Sequence, residues 1–407
     1  MVHVLTRSTA RSGTRPKRFT GTRALYLLAS LIVSLLASSA APTPLYAFYQ
    51  ARWGFSPITT TVIFGVYAVS VLAALLTLGK LSDHVGRRPV LMVTLLIQVV
   101  TMVVFATAGA VWVLLLGRVI QGVATGAALG AVGAGMLDVD ARRGQLTNAV
   151  TPGIGTATGS LLSALLVTYL PAPTQLVYYV LAAVFLVQAA GVAFLRETVR
   201  PAPGALASLK REITLPRTVR GHVLAATPVL FASWALAGLY GALGPALVAT
   251  LAGSNNTVLG GLILVAFAGT ASATVVALRR TAPVRVMVTG VAALLVGVIV
   301  TLGALALGSV LLFFIGTAIA GAGFGSGFQG GIRIVVPQVA AHQRAGVLSL
   351  LYVVSYLGFG VPAVVAGVLT VDGPGLLGAA GIYGAAVIAL ALLALLALAR
   401  AQRTTVE

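Results

Sequence analysis

Twelve apolar runs of about 20 residues each, parted by short polar or glycine-rich breaks, constrain this chain more than any other feature. A helix rises about 1.5 Å per residue, so about 20 residues cross the roughly 30 Å of hydrocarbon in a bilayer. The runs lie near 24–46, 58–78, 90–109, 111–136, 146–169, 175–195, 221–243, 257–278, 286–306, 309–333, 346–368 and 376–399. Only 8% of the 407 residues are charged and 59% are apolar, whereas about a quarter of an average soluble chain is charged. The expected fold is therefore all-α and integral to the membrane, with twelve transmembrane helices. The 47 glycines fit helices that approach closely in lipid.

A net charge of +19 would suggest a nucleic-acid partner in a soluble protein. The basic residues instead sort by side. With the N-terminus inside, the tail "TRSTARSGTRPKRFTGTR", the 79–89 loop, Arg142, Arg143, the central "RETVRPAPGALASLKREITLPRTVR", Arg279, Arg280, Arg285, Arg344, Arg400 and Arg403 all face the cytoplasm. Only Arg52 falls in an outer loop. That is the positive-inside bias, so the charge reports orientation and attraction to anionic lipid, and no nucleic-acid partner is needed. The expected location is the inner or plasma membrane, with both termini cytoplasmic. The start of the chain, basic and then apolar up to "ASSAAPTP", has the look of a cleavable signal. Its apolar run is as long as a full span, so it is read as the first helix. There is no cysteine, hence no disulfide or thiolate chemistry.

The longest charged loop divides the spans six and six. The organisation read from this is a basic tail over 1–23, a six-helix bundle over 24–195, a central cytoplasmic loop over 196–220, a second six-helix bundle over 221–400 and a tail over 401–407. "WVLLLGRVIQGVATGAALG" in the fourth span sets beside "LLFFIGTAIAGAGFGSGFQ" in the tenth, with Gly117, Gly122 and Gly126 against Gly316, Gly321 and Gly325. "TPGIGTATG" and "YLGFGVPAVVAG" give the fifth and eleventh spans a shared glycine–proline cluster, in which Gly155 and Gly159 are packing candidates. Two pseudo-symmetric bundles place a site between them near the midplane.

Between the second and third spans stands "GKLSDHVGRRPVL". It resembles the signature loop of the major facilitator superfamily, roughly G-x-L-x-D-R-x-G-R-[RK]-x-x-L, through Gly79, Leu81, Asp83, Gly86, Arg87, Arg88 and Leu91, with His84 where the family usually has arginine. "RVIQGVATGAALG", with Arg118, Gln121, Gly122 and Gly126, is similar to the family's fourth-helix motif. "GTATGS" occupies the place of the exporters' G-P-x-x-G-G bend, with Thr156 and Ser160 departing from it, and "RET" follows the sixth span as in many members. The resemblance runs from about residue 24 to 400 and implies drug-efflux-type relatives. It also implies a gating role for the loop: Asp83 against the N-terminal end of the eleventh helix near Gln343 to Gly346, with Arg344 adding to it, and Arg87 against Asp138 or Asp140. Gly79 and Gly86 are expected to relieve strain in the tight turn. The alternative is a loop that fixes topology only.

All seven acids, Asp83, Asp138, Asp140, Glu197, Glu212, Asp372 and Glu407, fall in loops, tails or helix ends. The histidines His3, His84, His222 and His342 fall at the cytoplasmic edge. Proton coupling therefore has no deep carrier, and the sequence leaves it to run through Asp83 or Asp138, indirectly, or not at all. Arg118 is the one ionisable group deep in a span. It is a candidate either for an anionic substrate or for a polar network with Gln121. Arg333 can snorkel to the cytoplasm.

Tyr46, Tyr49, Tyr67, Trp234, Tyr240, Phe324, Gln329, Tyr352 and Tyr356 are the candidate cavity groups, each weighed against a packing or interface role. Together they describe an apolar, aromatic cavity poor in charge, suited to small hydrophobic or amphipathic molecules. The leading function is a secondary transporter exporting such molecules by alternating access, acting as a monomer. A facilitator or importer of a metabolite is the alternative within transport, and a non-transporting sensor or scaffold the alternative outside it. An enzyme is disfavoured, because the sequence holds no metal-ligand cluster, catalytic triad or phosphate-binding loop, and no cofactor is implied. Three lysines against 23 arginines point to a GC-rich bacterial genome.

Overall fold

A computed structural model describes residues 18–403 except 211, 212, 214, 255, 341 and 342. His3, Glu212, His342, Glu407 and most of the basic tail lie outside the described residues. The first half comprises α1 (Gly21–Ala40), α2 (Tyr46–Trp53), α3 (Pro57–Leu78), α4 (Leu81–Val85), α5 (Arg87–Ala106), α6 (Val111–Val139), α7 (Ala141–Tyr169) and α8 (Leu176–Ala193). The second comprises α9 (Arg220–Ala242), α10 (Gly244–Ala252), α11 (Thr257–Ala277), α12 (Pro283–Leu307), α13 (Val310–Val335), α14 (Arg344–Asp372) and α15 (Gly375–Arg403). Twelve of these, all but α2, α4 and α10, are long and apolar enough to cross a membrane. Each half holds its own core, the first around Leu28, Leu35, Leu91 and Phe185, the second around Leu236, Tyr240, Phe267 and Leu294.

The expected first span, 24–46, is corrected by the structure. The helix ends at Ala40, the "APTP" stretch forms a turn, and a short helix resumes at Tyr46. Proline lacks an amide hydrogen and crowds the preceding turn, so Pro42 and Pro44 interrupt the ladder that hydropathy alone would continue. The second half repeats the device: α9 stops at Ala242, and Pro245 sits in the first turn of the short α10 that follows.

The two halves also repeat their packing. In α6, Gly117 rests on Phe105 of α5, while Gly122 and Gly126 rest on Ser70, Val71 and Ala74 of α3. In α13, Gly316 rests on Thr301 of α12, while Gly321 and Gly325 rest on Phe267 and Ala271 of α11. Gly155 and Gly159 of α7 pack on Val33, Leu36 and Ala37 of α1, as Gly358 of α14 packs on Phe231 of α9. Most of these approaches are helix backbone against helix backbone, which a Cβ would block. The correspondence of glycines between the fourth and tenth spans is thus a correspondence of neighbours.

The halves meet along two seams. In one, α7 lies on α11: the Ser272 hydroxyl donates to the Val150 carbonyl (3.0 Å), the Ser160 hydroxyl to the Gly261 carbonyl (3.3 Å), and Thr168 pairs with Thr257 (2.6 Å). In the other, α3 lies on α14, with Thr61 against Gly367, Gly65 against Val364, and Phe64 against Phe359 at 4.6 Å between ring centres. These α3–α14 contacts belong to the half of the molecule remote from the 79–89 loop. We call that half the far end, and the end bearing the loop the basic end.

Candidate functional site

At the basic end, α3 runs out at Leu78 and the chain turns through α4 into α5. Gly86 has φ +107°, a region L side chains rarely adopt, and a Cβ there would come within 2.8 Å of a Glu197 carboxylate oxygen. Gly79, expected to relieve strain, has an ordinary helical φ of −57°. Its role is close approach: a Cβ on Gly130 of α6 would sit 2.9 Å from its carbonyl oxygen.

The Glu197 carboxylate accepts from the backbone amides of Arg87 (2.9 Å) and Arg88 (2.9 Å), the first two residues of α5. A carboxylate there satisfies orphan amides and faces the positive end of the helix dipole. The Arg87 side chain, itself 10% exposed, donates through Nε to Asp138 (3.2 Å), through a terminal nitrogen to Ser82 (2.7 Å), and pairs with Asp83. Asp138 also accepts from the Thr198 hydroxyl (2.8 Å). The loop, the end of α6 and the segment after α8 are thereby tied into one network within the first bundle.

One expected contact is corrected by this arrangement. Asp140 does not serve Arg87; it caps α7 through the Arg143 amide (2.9 Å) and lies near the Arg143 side chain (3.7 Å). Asp138 faces Arg87 because it is the last acid still on α6. Asp83 pairs here with Arg87, four residues along, and Arg344 donates to the Val339 carbonyl (3.1 Å) in its own bundle; the expected contact of Asp83 with the start of α14 is one of the outward-open state. His84 lies beside the Pro203 carbonyl (3.2 Å), and its own carbonyl accepts from the Ala202 amide (2.9 Å), so the central loop straps onto the 79–89 loop.

Arg118 is 1% exposed, seven residues into α6 and so about 10 Å from that helix's start. It donates through Nε to the Tyr46 hydroxyl (3.1 Å) and through a terminal nitrogen to the Ser39 carbonyl (2.9 Å) and Gln121 Oε1 (2.7 Å). The Gln121 amide in turn donates to the Ser38 carbonyl (3.0 Å). The turn between α1 and α2 brings Tyr46 into this position. The guanidinium also lies 5.8 Å from the ring centre of Tyr46 and 5.1 Å from that of Tyr67.

Trp234 of α9 lies in an aromatic cluster of the second bundle that touches the first through Phe359 and Phe64. Around it pack Tyr356 (5.0 Å between ring centres), Phe328 (5.5 Å), Phe359 (5.7 Å) and Phe324 (5.8 Å). Tyr67 of α3 and Tyr352 of α14 are electrostatic neighbours of Tyr356. Phe64, one turn along α3, touches both Phe359 and the backbone at Gly241. The Trp234 ring nitrogen, Gln329 Oε1 and the hydroxyls of Ser233 and Ser355 are buried without a hydrogen-bond partner. Buried polar atoms are seldom left so, which makes them candidate ligand contacts.

Tyr240 is not at this junction. It is fully buried in the second bundle's core, bonded to the Thr301 hydroxyl (2.7 Å) and packed on Phe267 and Phe313. Tyr49 is likewise buried, bonded to Tyr178 (3.3 Å) and stacked on Trp53. Both have an inward-facing hydroxyl with a partner of its own. Sequence reasoning missed Phe64, Phe328 and Phe359, which look like any apolar residue in an apolar span. Glu197 stands in the sequence as one of the acids outside the spans and within "RET"; its partners at the start of α5 lie 110 and 109 residues away, so only the fold shows its capping role.

The family model of the Major Facilitator Superfamily matches residues 26–282. The chain belongs to that superfamily. Among curated members, the tetracycline resistance protein class E of Escherichia coli is 46% identical over 68 residues, 16% of this chain and 17% of that protein. The class C protein of the same organism is 39% identical over 83 residues, 20% of this chain and 21% of that one. The similarity thus spans about a fifth or less of these relatives' length. Among solved structures, the nucleoside transporter NupG superposes with a TM-score of 0.68 at 14% identity, covering 92% of this chain and 99% of that one. At that identity the likeness establishes the superfamily's fold for this chain and nothing about its cargo.

Proposed function

We propose that this superfamily member is a secondary transporter, not an enzyme, that exports small hydrophobic or amphipathic molecules by alternating access of its two bundles. The observation that carries the reading is the aromatic wall around Trp234, which meets Phe64 of the first bundle through Phe359, at the seam where rocking of the bundles would expose it to either side. We place the basic end in the cytoplasm on the positive-inside bias, with both termini inside a cell membrane, and take the chain to work as a monomer. Phe64, Gly65 and Thr61 against α14 then close the outer side, while Asp83 is held within its own bundle. That is the arrangement of a transporter accessible from the cytoplasm. Release of Asp83 from Arg87 towards the start of α14 belongs to the opposite state. The short similarity to tetracycline resistance proteins favours export of a drug-like molecule.

A second reading is a facilitator or importer of a small metabolite. The unpartnered Trp234 nitrogen and Gln329 oxygen favour it, because they would reward a solute rich in hydrogen-bonding groups, and NupG shows that the fold accommodates a nucleoside. The test is flux in proteoliposomes, with and without a pH gradient, of a lipophilic fluorescent dye and of a radiolabelled nucleoside. Dye flux above empty liposomes supports export of lipophilic molecules. Nucleoside flux without dye flux replaces it with the second reading.

A further inference from the structure

Charge within the spanning part of the molecule is lopsided. Of the seven acids, Asp83, Asp138, Asp140 and Glu197 gather at the basic end and Asp372 is the last residue of α14. Among the described residues, then, no carboxylate lies deep in a spanning helix. Arg118 does lie there, and its partners are a phenol, a backbone carbonyl and an amide oxygen. Neutral acceptors satisfy a guanidinium's donors but leave its net charge uncancelled, and a guanidinium stays protonated in proteins. Arg333, on the second bundle, is held the same way, donating to the carbonyls of Thr281 (2.8 Å) and Leu278 (3.4 Å) towards the basic end.

The ring of Tyr67 lies 5.1 Å from the Arg118 guanidinium, and Tyr67 is in turn an electrostatic neighbour of Tyr356 in the second bundle's aromatic wall. A ligand group stacked beyond that ring would be ~9 Å from the guanidinium. At an effective dielectric of ~20, one unit of ligand charge at that distance changes affinity about 20-fold. Cation–π attraction could oppose this. The rings of Tyr46 and Tyr67 already face Arg118, however, and Trp234 is packed by four other rings.

We infer that the junction selects its cargo by charge, accepting anionic and neutral amphipathic molecules and rejecting cationic ones, with the buried Arg118 as the determinant. The inference rests on the export reading above. Arg118 acts through its field from behind Tyr67, so it is a specificity-determining residue without touching the cargo.

The test uses the full chain in nanodiscs of zwitterionic lipid and three probes sharing one fluorophore: dansylglycine (carboxylate), dansylamide (neutral) and dansylcadaverine (ammonium). Dissociation constants are read from dansyl emission after subtraction of empty nanodiscs. The carboxylate probe should bind at least about tenfold more tightly than the ammonium probe. Arg118→Gln should reduce that ratio at least about tenfold, and Arg118→Lys should preserve it. A ratio cancels differences in abundance, so a merely structural role for Arg118 would not move it. Should Arg118→Gln fail to fold, Gln329→Glu, which puts a carboxylate on the opposite wall, must shift the ratio at least about tenfold towards the ammonium probe. Equal or tighter binding of the ammonium probe by the wild type, or a ratio unmoved by these changes, overturns the charge inference and leaves the export reading standing. Folded protein that binds none of the three overturns both.

Discussion

Phe64→Ala should weaken closure of the far end. Phe64 is 7% exposed, its ring 4.6 Å from that of Phe359 and laid on the backbone at Gly241, both in the other bundle. A buried phenylalanine removes on the order of 200 Å² from water. If about half of that faces α9 and α14, the interbundle contact contributes roughly 100 Å² at ~25 cal/mol/Å², or about 2.5 kcal/mol. That energy is present when the far end is closed and lost when it opens, so the substitution should shift the closed-to-open ratio by up to about 60-fold. The chain has no cysteine, so Thr61→Cys supplies a single reporter thiol at a fully buried position on the same seam. Labelling of that thiol by a membrane-impermeant reagent from outside intact cells should accelerate at least about tenfold in the Phe64→Ala background. Equal rates in the two backgrounds would refute the claim that this ring holds the far end shut.

Other consequences follow from the basic end and the helix seams. Glu197→Ala leaves the Arg87 and Arg88 amides uncapped and should cost about 1–2 kcal/mol, read as a lower melting temperature, with Glu197→Gln intermediate. Asp83→Asn leaves Arg87 its bonds to Asp138 and Ser82, so melting should change little while flux falls; normal flux at normal abundance would remove the gating role. Gly321→Leu drives a side chain into the Phe267 backbone and should abolish monodisperse protein on size-exclusion chromatography, whereas Gly303→Leu, with nothing within 4 Å, should be tolerated.

The twelve spans were legible in the sequence because a bilayer demands a length of apolar helix that few other contexts require. Their ends were less so: α7 begins at Ala141 and not near 146, because its first turn is polar and projects beyond the apolar run. The break after Ala40 was spelled out by Pro42 and Pro44, yet a hydropathy window averages over it. Arg118 stood out as a lone charge in an apolar helix, while its partners Tyr46 and Ser39 come from a turn that only the fold brings near. The loop's acids were identified by type, but which of them meets Arg87 depends on where α6 ends and α7 begins. The aromatic junction was half visible. Trp234, Tyr67 and Tyr356 are distinctive residue types, whereas Phe64 and Phe359 acquire meaning only by facing each other across two bundles.

Alternating access is tested most directly by distances across both ends at once. In the cysteine-free chain, spin labels at Thr107 and Thr250 report the far end, and labels at Val85 and Gln338 the basic end; each pair joins the two bundles at exposed positions. Pulsed electron–electron resonance is then recorded in nanodiscs, with and without a transported dye and across a range of pH. The expected result is two populations in which the far-end distance lengthens as the basic-end distance shortens. A single distance at each end under every condition, with transport intact, would contradict the rocking of two bundles about the Trp234 junction.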